Sequence, residues 1–181
     1  MSMTQVANTY AQALYSLAKE EGLEAQILAQ MQSLRQAFSQ EPAFVQLLCA
    51  HNLSKAERCN ILEESFRDKV QPYLLNFMKI LTERGYMRHF GDCCEVFTQQ
   101  YNEDHGILQV KAVTAVALTP AQAEKLKQKL SGITGKTIDL VCRVDSSVLG
   151  GVRLDYDGKR VDGTVANRLE TVGKILKNTV L

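Results

Sequence analysis

Hydrophobic residues in the first part of the chain recur every three or four positions, the spacing of amphipathic helices. The first predicted helix has its apolar stripe at Val6, Tyr10, Leu14 and Leu17. Five further stripes follow before residue 105. Residues that commonly end or begin helices separate them: Gly22, Pro42, Ser54, Pro72, Gly85 and Gly106. Six helices joined by short loops predict an all-α bundle over residues 1–105.

The fifth predicted helix is apolar on nearly every side, and the first helix carries alanines beside its stripe. The apolar positions of the fifth helix are Leu74, Leu75, Phe77, Met78, Ile80 and Leu81. Such a helix either lies at the centre of its bundle or packs against a second partner. The pattern alone leaves two interpretations open, a central helix or a groove that accepts an amphipathic helix of another protein.

From residue 107 the apolar spacing changes from about four to two, which is typical of strands. Strands are predicted over residues 107–116, 138–144 and 152–156, and Val161 resumes a strand briefly. A capping box at Thr119 begins an intervening helix, which is predicted to end at Gly132. A last helix is predicted to start at 162–164, with its stripe at Val165, Leu169, Val172 and Leu176. The order predicts a small α+β domain over residues 106–181.

Charge divides the chain in the same place. Residues 1–105 carry 9 Lys and Arg against 13 Asp and Glu, whereas residues 106–181 carry 12 against 7. The basic second part favours an acidic partner. An alternative interpretation is a nucleic-acid-binding helical adaptor, but the charges are scattered and no aromatic residues alternate with them. No apolar stretch approaches the roughly 20 residues needed to cross a bilayer, and the opening residues lack the features of a secretory signal.

The sequence offers little that resembles a reactive site, and it predicts no catalytic residue, metal ligand or cofactor. The five cysteines have no metal-binding or disulfide spacing and are expected to be buried, unreactive thiols. A thiol enzyme that uses Cys93 and Cys94 is the enzymatic alternative. Gly135-Lys136-Thr137 resembles the end of a phosphate-binding loop, but it lacks the earlier glycine and precedes a strand, which favours a plain turn.

A family resemblance rests on the segments 144–152 (VDSSVLGGV), 161–165 (VDGTV) and 168–170 (RLE). With 10–14 (YAQAL) and 81–85 (LTERG), they resemble the F-type ATP synthase delta family, which includes the mitochondrial oligomycin-sensitivity-conferring protein. The signature residues are Gly150, Gly151, Asp162, Gly163 and Arg168. Two positions depart from the family pattern: Tyr86 stands where Arg is common, and Thr164 stands where Ser is common.

The resemblance implies a non-catalytic stator subunit that links the catalytic head to the peripheral stalk, so that rotation is coupled to proton-driven ATP synthesis. It implies that residues 1–105 bind the N-terminal helices of alpha subunits and residues 106–181 bind the stalk b subunits, with no nucleic acid involved. The expected location is peripheral, on the cytoplasmic face of a bacterial inner membrane, with membrane association only through the complex; a processed organellar origin stays open.

Helix position within this family suggests a set of alpha-contact residues: Tyr10, Ala11, Leu14, Phe77, Ile80 and Arg84. The signature residues of the second domain are expected to shape that domain and not to bind a substrate.

Overall fold

The computed structural model describes residues 3–50, 52–148, 150–156 and 158–163. The chain is mostly helical, with a small four-stranded sheet toward its C-terminal end. It divides into two compact units, Met1–Tyr101 and Asn102–Leu181, called here the helical unit and the sheet unit. The predicted last helix lies outside the described residues.

The α-helices that precede the sheet begin and end close to the residues that the sequence marks. They are α1 (Met3–Glu20), α2 (Glu24–Gln40), α3 (Pro42–Leu48), α4 (Lys55–Phe66), α5 (Pro72–Glu83) and α6 (Phe90–Asp104). A short 3-10 helix, Met87–His89, leads into α6. The capping box predicted at Ser54 is confirmed: its hydroxyl accepts from the Glu57 N–H, and the Glu57 carboxylate accepts from the Ser54 N–H.

Helices α1 and α5 end in the same way. In α5 the Tyr86 N–H donates to the Leu81 carbonyl at 2.7 Å, and the Gly85 N–H donates to the Thr82 carbonyl at 3.1 Å. This is the Schellman arrangement, which requires a left-handed residue, and Gly85 supplies it with φ +74°. Gly22 does the same for α1 at φ +66°. Both predicted glycine stops are therefore confirmed.

The buried side of α1 differs from the predicted stripe. Its buried side chains are Ala7, Ala11, Leu14, Tyr15 and Ala18, whereas Leu17 is exposed and Tyr10 is only half-buried. Alanines let neighbouring helices approach closely, because interaxial distance depends on the side chains at the contact. The alanine side of α1 therefore faces the core, and part of the predicted apolar stripe faces outward.

Helix α5 contributes most to the core of the helical unit. Six of its side chains are buried: Leu74, Leu75, Phe77, Met78, Leu81 and Thr82. They join buried residues of the neighbouring helices, including Ile27, Met31, Leu62 and Phe97. The ring of Phe97 meets Tyr15 edge-on at 5.1 Å, a favoured aromatic geometry. This burial supports the interpretation of α5 as a central helix.

The sheet unit contains β1 (Ile107–Thr114), α7 (Pro120–Thr134), β2 (Thr137–Val144), β3 (Val152–Tyr156) and β4 (Lys159–Asp162). The strand order is β2-β1-β3-β4. Strands β1 and β2 are parallel, and the other two pairings are antiparallel. Leu108, Val110 and Ile138 form the buried apolar core, which Leu130 of α7 contacts. The side chains at 109, 111 and 155 point to the opposite face because they alternate with the core residues.

The predicted end of α7 at Gly132 is wrong. Gly132 lies inside the helix, which continues to Thr134 and ends at Gly135 in the left-handed conformation, φ +67°. A glycine inside a helix costs only about 0.5 to 1 kcal/mol relative to alanine, so Gly132 does not end α7, whereas the left-handed conformation at Gly135 does. The capping box predicted at Thr119 is confirmed, with Gln122 as its partner.

The cysteines differ in their surroundings. Cys49, Cys93 and Cys94 are buried, Cys59 is half-buried and Cys142 is exposed on β2, so the prediction that all five are buried is wrong. Burial raises the pKa of both Cys93 and Cys94 to about 12. The Cys94 thiol also lies 3.7 Å from the Met31 carbonyl oxygen.

Replacing Ser54 with Ala removes the hydroxyl that caps α4. We expect the free energy of opening of α4 to fall by about 1 kcal/mol. Hydrogen exchange of the Leu62 amide in the full chain measures this change. The matched control is Ser33→Ala, because Ser33 is exposed within α2 and bonds only the Ala29 carbonyl. Equal effects of the two substitutions would contradict the capping role of Ser54.

The same capping box has a pH signature. Hydrogen bonds from the Ser54 backbone and then from its side chain lower the pKa of Glu57 below its usual 4.5. A lowered pKa stabilises the fold above the ordinary value, and that contribution is lost as pH falls through the lowered value. The difference between wild type and Ser54→Ala in α4 exchange is therefore expected to shrink in this acid range.

Alkylation of the folded chain separates the thiols. At about pH 8 we expect iodoacetamide to label Cys142 on the order of a hundred-fold faster than Cys93 or Cys94, whose raised pKa leaves little thiolate. Peptide mass spectrometry over time measures each rate, and labelling in denaturant serves as the control. Rapid labelling of Cys93 or Cys94 in the folded chain would revive the thiol-enzyme interpretation.

Candidate partner-binding surfaces

Helices α1 and α5 pack against each other in the helical unit and leave apolar side chains on their outer sides. Ile80 of α5 keeps 44% of its surface exposed, and Leu17 of α1 keeps 36%. Tyr10 lies on the same side of α1 as Leu17, since the two are seven residues apart. Arg84 follows Ile80 by four residues and is also exposed. We call these four residues the α1–α5 surface.

The six predicted alpha-contact residues fall into two groups. Ala11, Leu14 and Phe77 are buried in the core of the helical unit, so they offer no surface to a partner in this conformation. Tyr10 is half-buried, whereas Ile80 and Arg84 are exposed. The structure thus places the buried group in the supporting core and leaves the second group accessible. Leu17 is an accessible residue that the predicted set omits, and its place in an apolar stripe is the signal that could have included it.

Tyr86, which departs from the family pattern, belongs to the end of α5. Its ring lies 6.0 Å from the ring of Tyr10, tilted by 58°. Its backbone closes the Schellman arrangement of α5, where an apolar side chain often packs back on the helix. At this position the chain therefore has an aromatic contact between α1 and the end of α5.

A cavity of the helical unit lies elsewhere. It has a volume of about 780 Å³ and is bordered by α2, α3, the 3-10 helix and the start of α6. Phe38 lines it and contacts Phe44 and Phe90, with ring centroids 5.8 and 5.2 Å apart. Arg35 at its edge is paired with Glu95 at 2.6 Å. The sequence did not single out this cavity, because its walls come from segments that are distant along the chain.

The paired glycines of the family signature adopt conformations that other residues rarely take. Gly150 has φ +126° and Gly151 has φ +89°, immediately before β3. Gly163 follows β4, and its N–H donates to the Val152 carbonyl at 3.1 Å. A Cβ at Gly163 would lie 3.1 Å from that same oxygen. These glycines permit a backbone path that larger residues would obstruct.

The acidic residues of the signature also make local contacts. The Asp145 carboxylate accepts from the Ser147 hydroxyl at 2.6 Å and from the Ser147 N–H at 3.0 Å. Both bonds lower the pKa of Asp145, the side-chain bond most. Asp162 lies at the end of β4 opposite Arg153 of β3. Arg168 lies outside the described residues.

The described part of the chain contains no cluster of three or more residues suited to holding a metal ion. Gly135-Lys136 forms the bend between α7 and β2, as predicted, and does not begin a helix as a phosphate-binding loop would. Within the described residues, no helix has the length and apolar character needed to span a membrane. In the described part of the chain, the candidate sites for a partner are therefore exposed surfaces and shallow cavities.

Comparison with known proteins identifies the family. The family model described as ATP synthase delta (OSCP) subunit matches residues 6–176. The chain is 30% identical to ATP synthase subunit delta of Alkaliphilus oremlandii over 97% of this chain and 98% of the relative. It is 29% identical to the subunit of the same name from Desulfitobacterium hafniense, over 96% and 97% of the two chains.

A solved structure supports the fold. A chain of the Toxoplasma gondii mitochondrial ATP synthase hexamer superposes with a TM-score of 0.75 at 20% identity, covering 94% of this chain and 96% of that chain. The family match spans nearly the whole chain and includes the signature glycines. The chain therefore belongs to the ATP synthase delta (OSCP) subunit family and is a non-catalytic stator component of the F-type ATP synthase.

Proposed function

We propose that a six-helix bundle over residues 1–105, which includes the helical unit, binds the N-terminal helices of alpha subunits in the catalytic head. The α+β domain over residues 106–181 binds the b subunits of the peripheral stalk. The chain then joins head and stalk and prevents the head from turning with the rotor. The observation that carries the first contact is the exposure of Ile80 on a helix whose other large apolar side chains are buried.

The α1–α5 surface has the character of a helix-binding site. Its exposed apolar side chains belong to helices whose inner side chains, including Leu14 and Phe77, are buried in the core, so the core holds these helices in place. An amphipathic helix binds such a surface through residues spaced along one face. Arg84, at the end of α5, complements the dipole of that helix and is also available to an acidic side chain of the partner.

The free energy of a tight joint indicates how much of the partner must bind. Ile80 and Leu17 are already more than half buried, so covering each contributes about 1 kcal/mol. A nanomolar joint requires roughly −12 kcal/mol. The partner must therefore bury several large apolar side chains of its own, which a whole amphipathic helix does and a short loop does not.

The sheet unit is proposed to hold the stalk. Residues 106–181 carry an excess of basic residues, 12 against 7 acidic ones, which favours an acidic partner. With both partners bound, the chain is peripheral, on the cytoplasmic face of a bacterial inner membrane, and its membrane association is indirect. Membership of the stator family replaces the alternative of a nucleic-acid-binding adaptor.

Replacing Ile80 with Asp places a charge on the α1–α5 surface. We expect affinity for a peptide of the alpha-subunit N-terminal helix to fall by at least about ten-fold, because the carboxylate replaces the apolar contact of Ile80 and is costly to bury. Calorimetry on the full chain measures it. Leu47→Asp is the matched control, since Leu47 of α3 is 42% exposed in the same unit.

Circular dichroism of both variants confirms that the helices persist. Weakening by Ile80→Asp alone supports the assignment. Equal weakening by both substitutions, or unchanged affinity in both, contradicts binding at the α1–α5 surface.

Replacing Gly151 with Ala tests whether the signature shapes the sheet unit. At φ +89° an alanine is strained, so we expect β1 to lose about 1 to 3 kcal/mol of protection, read from hydrogen exchange at Val110. Gly132→Ala is the matched control: Gly132 lies in the helix interior with open space around it, and alanine there is expected to stabilise by about 0.5 to 1 kcal/mol. A neutral Gly151→Ala would mean that the glycine is not required for shape.

A further inference from the structure

A shallow cavity of about 480 Å³ lies on the sheet face opposite the apolar core of the sheet unit. Four side chains cross its floor in one row, because their strands pair in register. Val141 of β2 is opposite Lys111 of β1, Lys111 is opposite Asp155 of β3, and Asp155 is opposite Arg160 of β4. Residues opposite each other project to the same face of a sheet. Strands from both sides of β1 thus build a single charged floor.

The described lining of the cavity has a surplus of positive charge. Among these residues Lys111, Lys159 and Arg160 are cations, and Asp155 is a carboxylate. The Asp155 carboxylate is already engaged: the Arg160 Nε donates to one oxygen at 2.7 Å, and the Arg153 Nε lies 3.8 Å from the other. The Asp155 carboxylate also raises the pKa of Arg160, which keeps that pair charged.

Lys111 on the floor and Lys159, which lines the edge of the cavity at the start of β4 opposite Tyr156, provide the surplus. Among the described residues, no carboxylate forms an ion pair with either ammonium group. Lys111 faces Asp155 across the strands, yet the two arginines bind that carboxylate. Two ammonium groups beside an already neutralised carboxylate form an incomplete charge arrangement that an outside anion can complete.

We propose that this cavity receives acidic side chains or the terminal carboxylate of a stalk b subunit; this assignment rests on the function proposed above for the sheet unit. Val141 is 43% exposed beside Lys111 and offers apolar contact to a polypeptide. The described lining includes no helix N-terminus, which is a common feature of phosphate sites. A peptide with spaced carboxylates fits both the charges and the apolar contacts.

The test uses the full chain and the purified soluble part of the b subunit from the same ATP synthase. Reversing two charges with Lys111→Glu and Lys159→Glu together is expected to weaken binding about ten-fold or more. The control reverses Lys127 and Lys129, which are exposed on α7 outside the cavity. It is expected to change the affinity less than about two-fold. Wild-type affinity is expected to fall with added salt more steeply than that of the cavity variant.

Lys111→Glu places a second carboxylate opposite that of Asp155, and their repulsion can disturb the sheet. A second double variant therefore removes the two positive charges without adding negative ones. Lys111→Gln with Lys159→Gln removes the charges without adding repulsion and is expected to weaken binding about three-fold or more. Hydrogen exchange at Val110 checks that the sheet persists. Replacing the acidic residues of the b-subunit fragment by their amides, one segment at a time, is expected to produce a similar loss with the wild-type chain for the segment that enters the cavity.

The outcomes separate the two proposals. If the wild-type chain binds the b subunit and the cavity variants bind as well as the α7 control, the cavity assignment is overturned while the stalk function stands. If the wild-type chain does not bind the b subunit, both the cavity assignment and the proposed stalk-binding function are overturned. If the cavity variants instead lose binding to inorganic phosphate or to a single-stranded oligonucleotide and keep the b subunit, the cavity is a phosphate site and the assignment is overturned.

Discussion

The burial of most α5 side chains limits which surface of the helical unit a partner can contact. A side chain that fills the core of its own domain cannot also contact a partner unless the domain opens. Six side chains of α5 are committed to the core, and Ile80 remains outside. A stator joint carries load, so the surface that binds must not deform, and a close-packed core beneath it meets that demand. Under the proposed function, the same helix serves as the support and as part of the contact surface.

Much of the fold could be predicted because local signals agreed with tertiary packing. Gly22 and Gly85 have the left-handed conformations that end α1 and α5, and the capping boxes at Ser54 and Thr119 have both of their hydrogen bonds. The predicted end of α7 at Gly132 was wrong because a glycine marks a helix end only where the backbone has a positive φ. In α7 that residue is Gly135, three positions later. The sequence pattern alone does not show which of the two neighbouring glycines adopts the positive φ.

The candidate surface was harder to predict, for a related reason. Apolar spacing identifies which positions avoid water but not which helix face meets the domain's own core. On α1 the alanines are buried and Leu17 is exposed, and on α5 Phe77 is buried while Ile80, three residues later, is exposed. Only the packing of neighbouring helices decides this. The charged row across the sheet was equally hidden, because it depends on strand register between segments separated by α7 and by turns.

The two candidate surfaces differ in their physics, and the difference suits a connector. The α1–α5 surface is mainly apolar, so its contribution comes from buried area and changes little with salt. The sheet cavity is cationic, so its contribution comes from charge pairing, which salt screens and which speeds the encounter of opposite charges. An apolar joint resists dissociation, whereas a charged joint selects its partner and fixes its register. Under the proposed function, a chain with one surface of each kind presents unlike sites to head and stalk, which reduces the chance that the two compete for the same site.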